Sequence, residues 1–275
     1  MTTGQAAKEF CRTTLRYIPR ASGGGGETEL RVLDGRVADL PGWQECGFEL
    51  MQHASAVTDW SDDDEIAGVH YTEISELAKE LSGCDHALVS GHIKRNPEEA
   101  KRHSDLSPIT VVHSDFADSY GDLIRGLYRQ GGDRAEAAES AGVSPEQVAD
   151  ARRLMIVQFW RNVGPAKMDM PLAFCDSRTV TRDDARAFPV KNYAGSGFDF
   201  EALGIVAPED PTDHHWYVFP EMQIDEVVAF RTYDTDLVGS DTAYWTPHAA
   251  VRDPEVEPGE PARSSIELRA TCVFL

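Results

Sequence analysis

Short apolar segments dominate the chain after residue 153, separated by stretches rich in proline, glycine and aspartate. The segments are residues 154–160, 171–175, 216–219, 226–230, 249–251 and 265–271. Segments this short between turn-forming stretches are typical of β-strands rather than helices. Many short strands joined by turns pack as two layers, so the sequence predicts an all-β core, a sandwich or a jelly roll, with flanking helices.

Helical patterns occur in the first half of the chain. A helix is predicted over Asp62–Ser82, because it begins with acidic residues, has apolar residues at helical spacing and is followed by Gly83. Residues 94–107 are polar and contain Pro97, which predicts a loop. The glycine-rich stretch 22–26 is predicted to be a flexible turn or loop.

Three further helices are predicted at residues 118–130, 134–142 and 145–153, the last capped by Ser144. We expect them to form a helical insertion, at about residues 118–153, beside the sheet. No stretch resembles a linker that would divide the chain. The sequence therefore predicts a single domain over residues 1–275.

The chain carries 26 basic and 47 acidic residues, which gives a formal net charge of −21. Such a charge is repelled by phosphate backbones, which excludes nucleic acid as a partner. No stretch approaches the roughly 18 apolar residues of a membrane span. Five cysteines without metal-binding spacing predict free thiols, and residues 1–5 lack the features of a signal peptide. We therefore expect a cytoplasmic protein.

A histidine and an aspartate, His113 and Asp115, follow the apolar run 109–112. Side chains alternate along a strand, so both residues point to the same side if 109–114 is extended. A third candidate, His248, comes far downstream after a turn proline. Two histidines and one carboxylate are the set that holds Fe(II) with positions left open. The alternative for His248 is a turn histidine bonded to backbone, and the residues alone leave both open.

Arg263 and Ser265 follow His248 and would share one face of the last strand. A guanidinium binds a carboxylate through two parallel hydrogen bonds, so this pair is predicted to hold the distal carboxylate of 2-oxoglutarate. Arg269, on the same face, and Arg161, at the end of an earlier strand, compete for that role. The alternative for Arg263 is a surface ion pair with a neighbouring glutamate.

Five further residues are predicted to contact a small-molecule substrate: His92, Arg95, Tyr120, Trp160 and His215. The alternative for each is a structural role, since aromatic residues in strand segments commonly form the core or its rim. His214 is expected to be exposed, because it follows Asp213 in a loop. Internal arginines in an acidic chain suit a small anionic or zwitterionic substrate, unless they serve 2-oxoglutarate alone.

These residues lie in a series of short motifs whose order resembles the hydroxylase/desaturase family of secondary metabolism. The motifs are residues 47–50, 53–60, 71–83, 112–116, 159–162, 171–176, 215–220, 226–230, 246–248 and 263–269. The resemblance implies a double-stranded β-helix that uses Fe(II), 2-oxoglutarate and O2, with His113, Asp115 and His248 as metal ligands. It also implies hydroxylation, desaturation or cyclisation of a small secondary-metabolite intermediate by hydrogen abstraction. Gly91 replaces an aspartate that the family commonly has before His92, a change consistent with a different substrate.

Two other functions stay open. One is a non-catalytic jelly-roll partner subunit of a biosynthetic enzyme, and the other is a cupin-type metalloenzyme that uses no 2-oxoglutarate. A serine or cysteine hydrolase is disfavoured, because the chain lacks a G-x-S-x-G motif and a recognisable nucleophilic cysteine. The sequence also leaves open a homodimer or a biosynthetic partner protein.

Overall fold

The computed structural model describes residues 8–20 and 26–275, and its strands form two sheets. The strands are β1 Glu9–Arg16, β2 Glu27–Asp34, β3 Phe48–Gln52, β4 His86–Leu88, β5 His92–Arg95, β6 His113–Ser114, β7 Arg153–Asn162, β8 Leu172–Cys175, β9 Ala185–Val190, β10 Phe200–Ile205, β11 Trp216–Val218, β12 Glu226–Asp234, β13 His248–Ala250 and β14 Ser265–Phe274. The larger sheet has the order β1-β2-β11-β8-β13-β6-β10-β9. The smaller has the order β3-β12-β7-β14-β4, and β5 also pairs with β14. The predicted mostly β core is confirmed.

The main core lies between the two sheets. Leu15 and Trp216 of the larger sheet are buried in one cluster with Ile156 and Tyr233 of the smaller sheet. Alternate residues of β7, such as Val157, face the opposite side and pack in a second cluster with the helix Tyr71–Ser82. Strand β7 is therefore covered on both faces, which explains why residues 154–160 are apolar except for Gln158.

The helices are α1 Trp43–Cys46, α2 Asp63–Glu65, α3 Tyr71–Ser82, α4 Pro97–Arg102, α5 Tyr120–Gln130, α6 Asp133–Ser140 and α7 Pro145–Asp150. The helix predicted over Asp62–Ser82 is present as α2 and α3, joined by a π-helical segment, Ile66–His70. The predictions between residues 118 and 153 correspond to α5, α6 and α7, and Ser144 forms a capping box on α7. That these helices form an insertion stays a prediction. No helix in the described ranges is long and apolar enough to cross a membrane.

The structure corrects two predictions of local structure. The stretch 94–107 is not a loop throughout, because α4 begins at Pro97 with Asn96 as its cap. Proline suits the first position of a helix, where no intrahelical N–H bond is lost. The strand predicted from residue 109 is confined to His113–Ser114, preceded by an isolated bridge from Val111 to Arg16. The predictions for residues 1–5 and for most of 22–26 lie outside the described residues.

Strand pairing brings distant parts of the chain together at one place. Strand β6 lies between β13 and β10, with His113 directly opposite both His248 and Gly204. Strand β14 lies in the other sheet, and its Arg269 reaches across the core to Asp115. The early and late parts of the chain thus share a site between the two sheets.

Candidate metal centre

Three side chains converge near the middle of the larger sheet. The ring centroids of His113 and His248, which are cross-strand neighbours, are 4.4 Å apart. Asp115 Oδ1 lies 3.4 Å from His248 Nε2 and 3.9 Å from His113 Nε2. One ligand atom from each residue lies within 4.8 Å of the other two. The structure therefore brings together the three residues that the sequence predicted as metal ligands.

Backbone carbonyl groups hold both imidazole rings. His113 Nδ1 is 2.8 Å from the carbonyl oxygen of Val111, and His248 Nδ1 is 3.0 Å from that of Thr246. A carbonyl only accepts, so each Nδ1 donates its hydrogen and each Nε2 keeps a free lone pair. Burial lowers the pKa of His113 to about 4, which keeps this ring neutral at pH 7. Rings held in this way are ready to bind a metal ion through Nε2.

The two oxygens of Asp115 have different neighbours. Oδ1 faces the histidines, whereas Oδ2 accepts hydrogen bonds from Arg269 Nε at 2.9 Å and Nη2 at 2.7 Å. Burial acts to raise the pKa of Asp115, but the positive charge of Arg269 brings it well below its usual range. The carboxylate is therefore ionised, with one oxygen directed at the histidines and the other occupied.

A cavity of about 420 Å³, called here the metal cavity, is lined by the three residues and by Arg263. Arg263 is 3% exposed, and its Nε donates to Ser265 Oγ at 2.8 Å. Its guanidinium carbon lies 5.1 Å from the centre of the Trp160 ring. Among the described residues, Nη1 of Arg263 is buried without a hydrogen-bond partner. Burial lowers the pKa of Arg263 to about 9, so the group is charged at pH 7, yet no acidic side chain of the described residues forms an ion pair with it.

The competing arginines already have partners. Arg269 lines the metal cavity but binds Asp115 and lies 3.6 Å from Glu267. The structure corrects the prediction that Arg161 competes for 2-oxoglutarate. Arg161 does not line the metal cavity and donates instead to the carbonyl oxygen and the ring of His53. Neighbouring residues on a strand point to opposite faces, so Arg161 faces away when Trp160 faces inward. The structure thus favours Arg263 for an anionic cosubstrate.

The predicted substrate residues are divided among several places. Arg95 lines the metal cavity, but its guanidinium pairs with Glu267 at 3.1 Å and donates to two loop carbonyls. His92 and Tyr120 line a separate cavity of about 550 Å³, called here the outer cavity. Trp160 is buried beneath Arg263 and lines neither cavity.

The expectations for two neighbouring histidines are reversed. His215 is exposed and lines neither cavity, whereas His214 is 4% exposed and contacts the hydroxyl of Tyr17. The physical reason is a packing contact before the strand begins. The ring of His214 lies 5.6 Å from the buried ring of Tyr17, whereas the next side chain, His215, points outward.

Several residues around the metal centre were not predicted from the sequence. Tyr193 and Phe200 line both cavities, in a stretch for which no element was predicted. Glu267 is a buried acid that pairs with Arg95. Its signal was available, because a glutamate between Ile266 and Leu268 interrupts an apolar strand and buried charges need partners.

Comparisons with known proteins point to oxidoreductases. The hydroxylase/desaturase CTB9 of Cercospora beticola is 28% identical over 245 residues, which cover 81% of this chain and 69% of the relative. The alpha-ketoglutarate-dependent dioxygenase phiK of a fungal species is 25% identical over 237 residues, covering 84% and 79%. These names confirm the resemblance to hydroxylase/desaturase proteins seen in the sequence.

A solved structure has a similar fold. The iron and alpha-ketoglutarate-dependent endoperoxidase NvfI superposes with a TM-score of 0.71 at 20% identity, over 96% of this chain and 98% of that one. The model of a family described as an oxidoreductase/YMDC permease-like domain matches residues 16–274. Since that match spans nearly the whole sequence, the chain belongs to this oxidoreductase family.

Proposed function

We propose that the chain is a non-haem Fe(II)- and 2-oxoglutarate-dependent oxygenase that hydroxylates, desaturates or cyclises a small secondary-metabolite intermediate. One observation carries the proposal. His113, Asp115 and His248 direct donor atoms at one point of a cavity that also contains Arg263, a cation without an acidic partner among the described residues. The names of the curated relatives support the same class of reaction, with O2 as the second substrate.

We further propose that the two sheets are the layers of a double-stranded β-helix. The adjacency of β6 and β13, which come from distant parts of the chain, supports this topology. The whole of residues 1–275 would then form one domain, with the helices of 118–153 as an insertion. Five free, buried cysteines support a reducing, cytoplasmic location.

The described residues fit both groups. His113 and His248 would bind Fe(II) through Nε2, and Asp115 through Oδ1. Arg263 and Ser265 would bind the distal carboxylate of 2-oxoglutarate, which gives the buried guanidinium its missing acceptor. When bound, the metal and cosubstrate supply the oxidising chemistry that removes hydrogen from a substrate C–H bond with O2 as the oxidant.

The chain's own residues position and shield this chemistry. Arg269 keeps Oδ2 of Asp115 occupied, so that the carboxylate presents one oxygen and leaves room for other ligands. Apolar side chains, including Ile109, Leu172 and Phe188, line part of the metal cavity. Such a lining excludes water from the reacting atoms and strengthens the charge interactions inside.

Anaerobic titration of the metal-free protein with Fe(II) and then 2-oxoglutarate tests the proposal. We expect a visible charge-transfer band when both are bound. The band should be lost in His248→Ala and kept in the control His86→Ala, a histidine outside both cavities. Iron binding without the band would indicate a cupin-type enzyme that uses no 2-oxoglutarate. Absence of iron binding would indicate a non-catalytic partner protein.

A further inference from the structure

The outer cavity is large and lies directly beside the metal cavity. Its volume is about 550 Å³, and it shares Tyr193, Phe200, Glu267 and Arg269 with the metal cavity. The two spaces therefore adjoin at these four side chains. A molecule in the outer cavity would lie next to the proposed metal centre without taking the place of a cosubstrate at Arg263.

Aromatic rings cover much of the outer cavity. Phe116 is stacked on Tyr120 with centroids 3.6 Å apart, and Phe198 is stacked on Phe200 at 5.3 Å. All four rings line the cavity. Lining of this kind binds the apolar body of a small molecule, while a few polar groups select its orientation.

Most charged side chains of the outer cavity are paired with one another. Lys94 lies 2.6 Å from Asp63, and Arg102 lies 3.2 Å from Glu99. The shared Arg269 is bound to Asp115, as described above. These pairs neutralise each other and leave little charge for a ligand.

Arg134 differs from these residues. It lines the outer cavity, and within residues 8–20 and 26–275 no acidic side chain forms an ion pair with it. Its guanidinium carbon lies 5.8 Å from the centre of the Phe198 ring. Arg134 is the second residue of α6, where a cation opposes the helix dipole and does not stabilise the helix. Neither an ion pair nor the helix therefore accounts for this charge.

We infer that the outer cavity binds the substrate and that Arg134 pairs with an anionic group, a carboxylate or similar, on an apolar substrate body. The body would lie against Phe116, Phe198 and Phe200, and extend past Tyr193 toward the metal cavity. The occupant is called the substrate on the strength of the proposed function. The anion site itself depends only on Arg134 and the aromatic rings.

Two fluorescent probes that differ by one charge test this inference on the metal-free, full-length protein. They are 1-anilinonaphthalene-8-sulfonate, which is anionic, and N-phenyl-1-naphthylamine, which is neutral. A charge-assisted hydrogen bond contributes about 1.5–3 kcal/mol, so Arg134→Gln should weaken sulfonate binding at least about tenfold. Binding of the neutral probe should stay within about twofold, and Arg134→Lys should restore part of the sulfonate affinity.

Matched controls locate the effect. Arg129→Gln removes an exposed arginine of α5 that is paired with Asp150, and should leave both probes unaffected. Gly91 lines the outer cavity with open space beside its Cα, so Gly91→Phe should block both probes, whereas Gly126→Phe, also in open space but outside the cavity, should not. Unchanged sulfonate binding in Arg134→Gln, or full probe binding in Gly91→Phe, would overturn the inference.

The same variants separate this inference from the proposed function. Arg134→Gln should give the same Fe(II)/2-oxoglutarate band as wild type, because Arg134 does not line the metal cavity. If wild type shows no charge-transfer band but the probes bind as expected, the proposed function is refuted and the anion site is not. A normal band with unchanged sulfonate binding in Arg134→Gln would refute the anion site alone.

Discussion

Replacing Arg263 with methionine separates cosubstrate binding from stability. Burial lowers the pKa of Arg263 to about 9, and this shift corresponds to a cost of roughly 5 kcal/mol for keeping the charged group inside the protein. Because the folded-state pKa lies below the unfolded one, this penalty is complete below about pH 9 and is constant near neutrality. Stacking on Trp160 and the bond to Ser265 offset roughly 3 kcal/mol. Without a ligand, Arg263 therefore contributes no net stability to the fold.

We expect metal-free Arg263→Met to melt within about 3 °C of wild type, or higher, since 1 kcal/mol shifts the Tm of a chain this size by about 2–4 °C. Arg95→Met is the matched control. It removes a buried arginine that is paired with Glu267, and leaving that carboxylate uncompensated costs about 3–5 kcal/mol. Its Tm should fall by roughly 10 °C.

Arg263→Met should keep its thermal stability but lose most of its affinity for 2-oxoglutarate. Removing one partner of a buried charge pair costs about 2–5 kcal/mol, so Arg263→Met should weaken 2-oxoglutarate binding at least about 30-fold. In thermal scans with Fe(II) present, 2-oxoglutarate should raise the Tm of wild type by mass action and leave that of the variant unchanged. Wild-type affinity for 2-oxoglutarate in the variant, or a large fall of its ligand-free Tm, would refute this account of Arg263.

Other perturbations test separate parts of the structure. Arg269→Met frees Oδ2 of Asp115 and should weaken Fe(II) binding about 10–100-fold, measured by anaerobic titration. Burial lowers the pKa of His70 to about 4, so the unfolded chain takes up a proton that the folded chain refuses as pH falls below 6.5. His70→Gln should therefore reduce the loss of stability between pH 7 and pH 5 by about 2 kcal/mol in urea unfolding. Gly47 has a φ of 95°, and an added Cβ would collide with Thr246 Oγ1, so Gly47→Ala should lower the free energy of unfolding by about 1–3 kcal/mol. The same variant should weaken Fe(II) binding, because the carbonyl oxygen of Thr246 holds the ring of His248.

The metal centre was predictable because its signal is local. His113 and Asp115 are two apart at the end of an apolar run, and strand alternation predicts that they lie on one side, although the strand itself ends at Ser114. His248 was harder to predict, because the local sequence does not determine which distant strand pairs with β6. The sequence supplies the residue type, but the direct pairing of His248 with His113 depends on the register of the whole sheet.

The outer cavity was not predictable in the same way. His92 and Tyr120 were named as substrate residues, but Arg134 was assigned only to a helix. Arg134 is singled out because it has no acidic partner among the described residues. This absence can be recognised only once the structure shows which of the neighbouring charged residues form ion pairs. Arg161 is likewise disfavoured as the residue that binds the cosubstrate. Trp160 points inward, and neighbouring residues cannot share a face of β7.

The charged residues on the inner side of β14, together with Arg263 just before this strand, explain why the metal cavity contains a cation without an acidic partner among the described residues. Ile266 and Leu268 pack outward in an apolar cluster, whereas Arg263, Glu267 and Arg269 line the cavity between the sheets. Burying such charges is unfavourable unless each has a partner. Glu267 is paired with a buried arginine and Arg269 with the carboxylate of the metal centre. Arg263 alone of these three has no such pair in the described residues, so its burial is best explained by a ligand that brings the missing negative charge.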